Sequence, residues 1–325
     1  MRAIQISELG GPEVLQEVEL DSPEPGPGEV AIDVDYVGVN FADLQARSVG
    51  YRVRDLPFVP GVELSGRVRS IGTGVDGFTV GQSVAAITEG GAYAEVAVVT
   101  AATVFALPDS IDLLTAATLP TVLPTAYALI NTVGKLQPGE TVLVQAAAGA
   151  VGTVVGQVAK LAGAGAVYGV VSSAAKADYA RKLGYDDAFL AETFDADVRE
   201  ATGGRGVDIV LDPVGGQTLR RGLDSLALFG RLISYGNASG EPSWQIGQAE
   251  LYPRGLSISG FSILGLTADA PRILREVADR AFRLVTTGQV ELPITAEFPL
   301  SEVAEAHRLM GSRTSTGKLV LAVNS

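Results

Sequence analysis

Thr141-Val-Leu-Val-Gln-Ala-Ala-Ala-Gly149-Ala-Val-Gly152 is the stretch from which the rest of the chain can be read. Thr141–Gln145 is an apolar run of strand length, as expected for a strand buried on both faces. Small residues follow from Ala146 to Gly152, and Val151–Leu161 then has helical length. A strand, a small-residue turn and a helix in that order form the phosphate-binding end of a βαβ unit. In the Gly-x-Gly-x-x-Gly form of this turn the middle glycine lets backbone approach a pyrophosphate. The last one lets the helix pack closely. Gly149 and Gly152 hold those two places, while Ala147 stands where the first glycine would be. The helix N-terminus adds unpaired N–H groups and the positive end of its dipole. Tight strand–helix packing alone is the competing reading, and the rhythm that follows favours a dinucleotide.

That rhythm consists of apolar strand candidates at Ala166–Ser172, Asp187–Leu190, Val207–Asp212, Arg231–Tyr235 and Leu256–Phe261. Helix-length segments such as Lys176–Leu183 separate most of them, which predicts a doubly wound, six-stranded parallel sheet. Upstream, Glu29–Gly38, Gly61–Ile71, Gly81–Ile87 and Ala92–Val99 read as strands joined by turn chemistry without intervening helices. This pattern predicts a barrel-like β domain. Helical periodicity spans Leu113–Val133. Downstream, a helix at Pro271–Thr287, a strand at Ile294–Phe298, a helix at Ser301–Met310 and a strand at Lys318–Val323 are expected to rejoin the N-terminal domain. The expected domains are residues 1–124 with 267–325, and residues 125–266.

The strand ending near Ser172 bears on cofactor choice. An NAD site normally carries a carboxylate there for the ribose hydroxyls. This chain instead has Ser172, Ser173 and, one turn later, Lys176, with no acid between Val170 and Ala177. Hydroxyl donors and a cation suit a phosphorylated ribose, so the expected cofactor is NADPH. The alternative is that the serines only cap the next helix.

Composition narrows the chemistry. The chain of 325 residues has 24 basic and 37 acidic residues, a net charge of −13, which argues against a nucleic-acid surface. It has no cysteine and one histidine, His307. Disulfides, thiol nucleophiles, cysteine-bound zinc and multi-histidine zinc hydrolases are all excluded. A Ser-His-Asp hydrolase would need His307 as its base, but no Gly-x-Ser-x-Gly elbow exists. His307, four residues from Val303 on a predicted helix, reads as a surface or packing residue. The uncharged run from Thr141 to Ala159 is broken by Gly149, Gly152 and Gly156, so no membrane span is expected. With no apparent targeting segment, the expected location is cytoplasmic.

Gly10-Gly-Pro-Glu-Val-Leu15, Pro60-Gly-Val-Glu-Leu-Ser-Gly66, Ala146–Gly152, Gly203-Gly-Arg-Gly-Val-Asp-Ile-Val210 and Gly236-Asn237 occur in family order along the whole chain. In these motifs the chain resembles the zinc-free quinone oxidoreductase branch of the medium-chain dehydrogenase/reductase superfamily. The resemblance implies an α/β protein with a GroES-like β-barrel catalytic domain, a Rossmann domain, and commonly a homodimer formed through the Rossmann sheet edge. Zinc-using relatives carry a cysteine near Asn40 and a histidine where Val62 stands, so the resemblance implies no metal ligand. It also implies hydride transfer to an acceptor that stabilises charge by itself, such as a quinone or an enone.

By the same resemblance, Asn40 of Asn40-Phe-Ala-Asp43 lies at the nicotinamide, with Thr125 near the carboxamide and Tyr127 on the cofactor. Gly149, Ala150 and Val151 carry the pyrophosphate, and Ser172, Ser173 and Lys176 form the phosphate pocket. Tyr235, Gly236 and Asn237 cover the adenine side, Phe261 and Ser262 pass the nicotinamide, and Arg313 is a late cofactor contact. Two positions depart from the family: Ala191 replaces a tyrosine of some relatives, and Pro213 replaces a serine. Tyr51, eleven residues after Asn40, is the candidate proton donor, against an ordinary loop tyrosine. Trp244 and Tyr252 are placed to line substrate or a dimer contact. An enoyl-thioester reductase and a non-catalytic NADPH-binding protein or non-redox family member remain the alternatives.

Overall fold

A computed structural model describes residues 1–242 and 245–324; Trp244 lies outside the described residues. The chain forms two compact units, Met1–Pro124 with the segment from Ile263 onward, and Thr125–Ser262.

The first unit begins with β1 (Arg2–Gln5), β2 (Gln16–Glu19) and the long β3 (Glu29–Val39). A helix, α1 (Phe41–Val49), then precedes β4 (Glu63–Ile71), β5 (Ser83–Ile87), β6 (Val96–Thr100) and β7 (Val104–Ala106). The expectation of strands without intervening helices is corrected at α1. Its signals are local: Asp43 Oδ2 accepts the Asn40 N–H at 2.9 Å, and Gly50 ends the helix at φ 73°. The helix expected over Leu113–Val133 is divided into α2 (Leu113–Ala116), α3 (Leu119–Tyr127) and a π-helical turn, Ala128–Val133. Pro120 suits the first turn of α3, where its missing N–H costs nothing.

The second unit is built on β8 (Thr141–Val144), β9 (Ala166–Val171), β10 (Asp187–Leu190), β11 (Val207–Asp212), β12 (Leu226–Ser234) and β13 (Ser257–Gly260). All are parallel, in the order β10-β9-β8-β11-β12-β13. The connecting helices are α4 (Ala150–Leu161), α5 (Ala174–Lys182), α6 (Phe194–Ala201), α7 (Gly216–Asp224) and α8 (Gln248–Leu251). Successive strands run outward from β8 on one side and from β11 on the other, so the switch point lies between these two. β12 begins at Leu226 rather than at Arg231. Its pairing with β11 breaks between Val207↔Leu226 and Ile209↔Arg231, and Phe229 turns the intervening bulge at φ 61°. Leu143, Val170, Val210, Leu232 and Phe194 form the core beside the sheet.

From Ile263 the chain returns to the first unit through α9 (Ile263–Asp269), α10 (Pro271–Thr286), β14 (Ile294–Pro299), α11 (Val303–Gly311) and β15 (Lys318–Ala322). β15 pairs antiparallel with β3 and parallel with β14, in a sheet ordered β14-β15-β3-β4-β5-β7 with β6 also on β3. The C-terminal tail therefore supplies an interior strand to a sheet started by the N-terminus.

Candidate functional site

In the second unit the residues singled out from sequence follow the C-terminal ends of the parallel strands. Gly149 follows β8, Ser172 follows β9, Tyr235 follows β12 and Phe261 follows β13. They thus share one edge of the sheet, where open α/β folds hold ligands. Gly149 is the N-cap of α4 and offers no side chain to the helix, so the N–H groups of Ala150, Val151 and Gly152 face outward without an intrahelical acceptor. A Cβ on Gly152 would lie 2.5 Å from Ala146 O and 2.7 Å from Ala147 Cα. That closeness seats α4 on β8. The left-handed residue of the turn is Ala146, at φ 54°, while Ala147 at the first-glycine place is fully buried.

The β9 edge is mixed. Ser173 Oγ accepts the Lys176 N–H at 3.4 Å and caps α5, whereas Ser172 is exposed at the strand end. Burial lowers the pKa of the Lys176 ammonium. Between β11 and α7, Asp212 Oδ1 accepts the N–H groups of Val214 and Gly215 at 2.6 and 2.7 Å. Burial nevertheless pushes this carboxyl up to about 6. Burial and the charge of Asp212 push the Tyr235 phenol well above its ordinary range. Asn237 is braced through Glu241 O at 3.0 Å and Ser239 Oγ at 3.1 Å. Thr125 is buried and Tyr127 is half-buried in α3. Phe261 is half-buried and donates its N–H to Ser234 O at 2.9 Å, while Ser262 is exposed. These residues fit a dinucleotide: an uncapped helix N-terminus, and hydroxyls and a cation at the neighbouring strand end without a carboxylate.

Asn40, Tyr51 and Arg313 belong to the first unit. Asn40 sits in a buried polar cluster. Its Nδ2 donates to Glu63 Oε1 at 2.8 Å and to Gly38 O at 3.1 Å. Its Oδ1 accepts from Lys318 Nζ at 2.8 Å and Thr121 Oγ1 at 3.1 Å. An amide has two donors and two acceptor sites, so all four are used within this unit. A direct bond from the Asn40 side chain to a cofactor would have to displace one of them. Glu63 Oε1 also accepts from Lys318 Nζ, and its Oε2 accepts the Thr121 N–H at 2.9 Å. Both side chains of this ion pair are sealed from water. Gly38 makes room for them, since a Cβ there would fall 2.5 Å from Glu63 Oε1.

Tyr51 follows α1 and is 40% exposed. It lines a cavity of about 10 Å³, room for one water, with Asp43, Val62 and Leu264. Burial pushes the Asp43 carboxyl up to about 7 against the Asn40 N–H and the Lys318 ammonium. Arg313 is exposed and left-handed, at φ 59°. His307 is a packing residue rather than a surface one: its Nε2 lies 3.0 Å from the buried Tyr93 hydroxyl, and desolvation lowers it to about 3. Tyr252 is exposed.

Residues 26–109 match the alcohol dehydrogenase GroES-like domain family, and residues 150–279 match the zinc-binding dehydrogenase family. A quinone oxidoreductase of Pseudomonas aeruginosa is 37% identical over 98% of this chain and 99% of that protein. The chain belongs to the medium-chain dehydrogenase/reductase superfamily, in its quinone oxidoreductase branch. A 2-haloacrylate reductase of a Burkholderia species is 36% identical over 98% of both proteins. The Escherichia coli quinone oxidoreductase, solved in complex with NADPH, superposes with a TM-score of 0.93 at 31% identity, over 99% of this chain and all of that one.

Within this branch, the residues 150–279 that match the zinc-binding family contain neither cysteine nor histidine. Sequence reasoning missed Glu63, Thr121 and Lys318 as partners of Asn40. Glu63 stands beside Val62 in a motif that was recognised, so it had a signal. Lys318 had none, because it opens a strand whose residues are all buried.

Proposed function

We propose that this chain is an NADPH-dependent oxidoreductase that delivers hydride to a quinone or an α,β-unsaturated carbonyl without a metal ion. The observation that carries the reading is the row of Gly149, Ser172, Tyr235 and Phe261 along one edge of the parallel sheet. It stands in a chain that matches quinone oxidoreductases over its whole length. NADPH supplies the hydride when bound. The N-terminus of α4 receives the pyrophosphate, and Ser172, Ser173 and Lys176 receive the ribose phosphate. Ala191 and Pro213, which follow β10 and β11, add no hydroxyl to that edge. Asn40 acts by holding Glu63, Thr121 and Lys318 in register, and Arg313 adds a cofactor contact. Tyr51 protonates the enolate that hydride addition leaves on an alkene, whereas a hydroquinone draws its protons from water.

Metal independence is supported by the chemistry of the first unit. Asn40 and Val62 are poor metal ligands, and both oxygens of Glu63 are engaged by Lys318, Asn40 and Thr121. We also read the chain as a soluble homodimer of the cytoplasm. Among the described residues no helix is long and apolar enough to cross a membrane, and β13 pairs on one side only, with β12.

Anaerobic titration with NADPH, followed by a quinone, an enone and an enoyl thioester, tests the reading. Oxidation of NADPH by the first two supports it, and tight binding without oxidation by any acceptor refutes it. Ser172→Asp is expected to shift preference toward NADH by introducing a carboxylate beside the ribose. Unchanged selectivity would remove Ser172 from the pocket. Tyr51→Phe is expected to slow enone reduction and spare the quinone; unchanged turnover with both would remove Tyr51 from the chemistry.

A further inference from the structure

The second unit carries a cleft of about 410 Å³ that the cofactor row does not use. Arg205 and Gly206 line it just before β11, and Ser225 and Leu226 line it at the start of β12. It therefore opens at the N-terminal ends of the strands, on the edge opposite Gly149 and Tyr235. Arg199, at the last turn of α6, and Arg254 complete its basic side, with Asp195 and Asp224 also in the wall.

Most of these charges are already matched. Arg205 pairs with Asp208 at 2.7 Å, Asp195 with Arg221 at 2.6 Å, and Asp224 with Arg220 at 3.2 Å. Arg199 and Arg254 remain. Neither has a carboxylate partner among the described residues; Arg254 donates one N–H to Leu226 O. Guanidinium stays charged at any physiological pH, and a cleft concentrates its field. Two arginines without a carboxylate partner among the described residues therefore line one concavity in a chain whose net charge is −13. Val198 and Leu228 add an apolar wall, and Leu228 is 62% exposed.

We propose that this cleft binds a phosphate-bearing small molecule, with its phosphoryl group between Arg199 and Arg254 and its organic body against Leu228. A phosphoryl group carries nearly two negative charges at neutral pH and presents several acceptor oxygens to guanidinium forks. It matches two cations better than a single carboxylate does. The volume exceeds what a bare phosphate fills, which favours an ester.

The test is isothermal titration of the full-length protein with NADPH in excess, so that phosphate-binding groups on the opposite edge are occupied. The probes are phenyl phosphate, inorganic phosphate and benzoate, at matched ionic strength. Saturable binding of phenyl phosphate is expected, at least about tenfold tighter than benzoate. Arg199→Glu and Arg254→Ala should each weaken it by about tenfold or more, while Arg308→Glu, remote in sequence and paired with Glu305, leaves it unchanged. Inorganic phosphate binding as tightly as phenyl phosphate would overturn the ester and its apolar wall. Absence of saturable binding, or wild-type affinity in both Arg199→Glu and Arg254→Ala, would overturn the site itself. Because Arg254 also holds Leu226, Arg199→Glu alone is decisive if Arg254→Ala fails to fold.

Discussion

Lys318 and Glu63 lie 255 residues apart, yet their side chains meet with no exposure to water. Such a pair gains little over an apolar pair of the same shape, but removing one partner strands a charge in a low-dielectric interior. Lys318→Met is therefore expected to cost about 3–5 kcal/mol, and the Lys318→Met/Glu63→Leu double variant to recover part of the loss. Urea unfolding of the single and double variants gives the coupling, and simple additivity would mean that the pair is not energetically linked. Two neighbouring groups make stability depend on pH in opposite senses. Burial raises the Asp43 carboxyl from an ordinary 3.8 to about 7, so the folded state holds that proton more tightly than the unfolded chain. Its stabilisation is complete below an ordinary carboxyl's pKa and is lost as pH rises toward 7. Desolvation lowers His307 from 6.5 to about 3. Its stabilisation is complete above pH 6.5 and is lost as pH falls toward 3, by up to about 1.4 kcal/mol per pH unit. Asp43→Asn should remove the first slope and His307→Gln the second, while keeping a polar partner for Tyr93. Urea midpoints across pH 3–8 that fall alike in both variants and the parent would contradict these assignments.

At the scale of elements, legibility followed how local each signal was. The second unit could be read because β8, β9 and β11 are short apolar runs between helix-length segments, and a fully buried parallel strand has few other readings. The Gly149–Gly152 turn was legible for the same reason. α1 was not, because Asn40 and Asp43 stood out as a family motif and obscured their role at a helix start. The bulge at Phe229 has no composition cue, so the apolar pattern shows only the part of β12 from Arg231. The Asn40–Glu63–Lys318 cluster joins the start of α1 to β4 and β15, and no window along the chain contains it. Gly152 offers the sharpest test at this scale. A methyl group there must move Ala146 or Ala147 backbone, which cannot yield cheaply. Gly152→Ala is expected to cost about 1–3 kcal/mol and, if the α4 N-terminus receives the pyrophosphate as proposed, to weaken NADPH binding. Thermal unfolding and NADPH fluorescence titration measure the two effects, and parent-like values in both would refute the seating of α4 on β8.

For the whole molecule, the discontinuity of the first unit matters more than its strand count. Met1–Pro124 lacks β15, which lies between β14 and β3 and brings Lys318 to Glu63. A fragment ending at Pro124 would expose the Tyr36–Val39 end of β3 and retain Glu63 without its cation. An uncovered edge invites association, and an unpaired buried carboxylate opposes folding. The fragment 1–124 is therefore expected to show no cooperative thermal transition. Joining it through a flexible linker to residues 263–325 should restore one, because every strand of the mixed sheet is then present. The Glu63→Gln form of the short fragment separates the two causes. A transition regained there would place the defect in the stranded charge, and continued failure would place it in the missing strand. Cooperative unfolding of the unmodified 1–124 fragment would show that the returning tail is dispensable to the fold it completes.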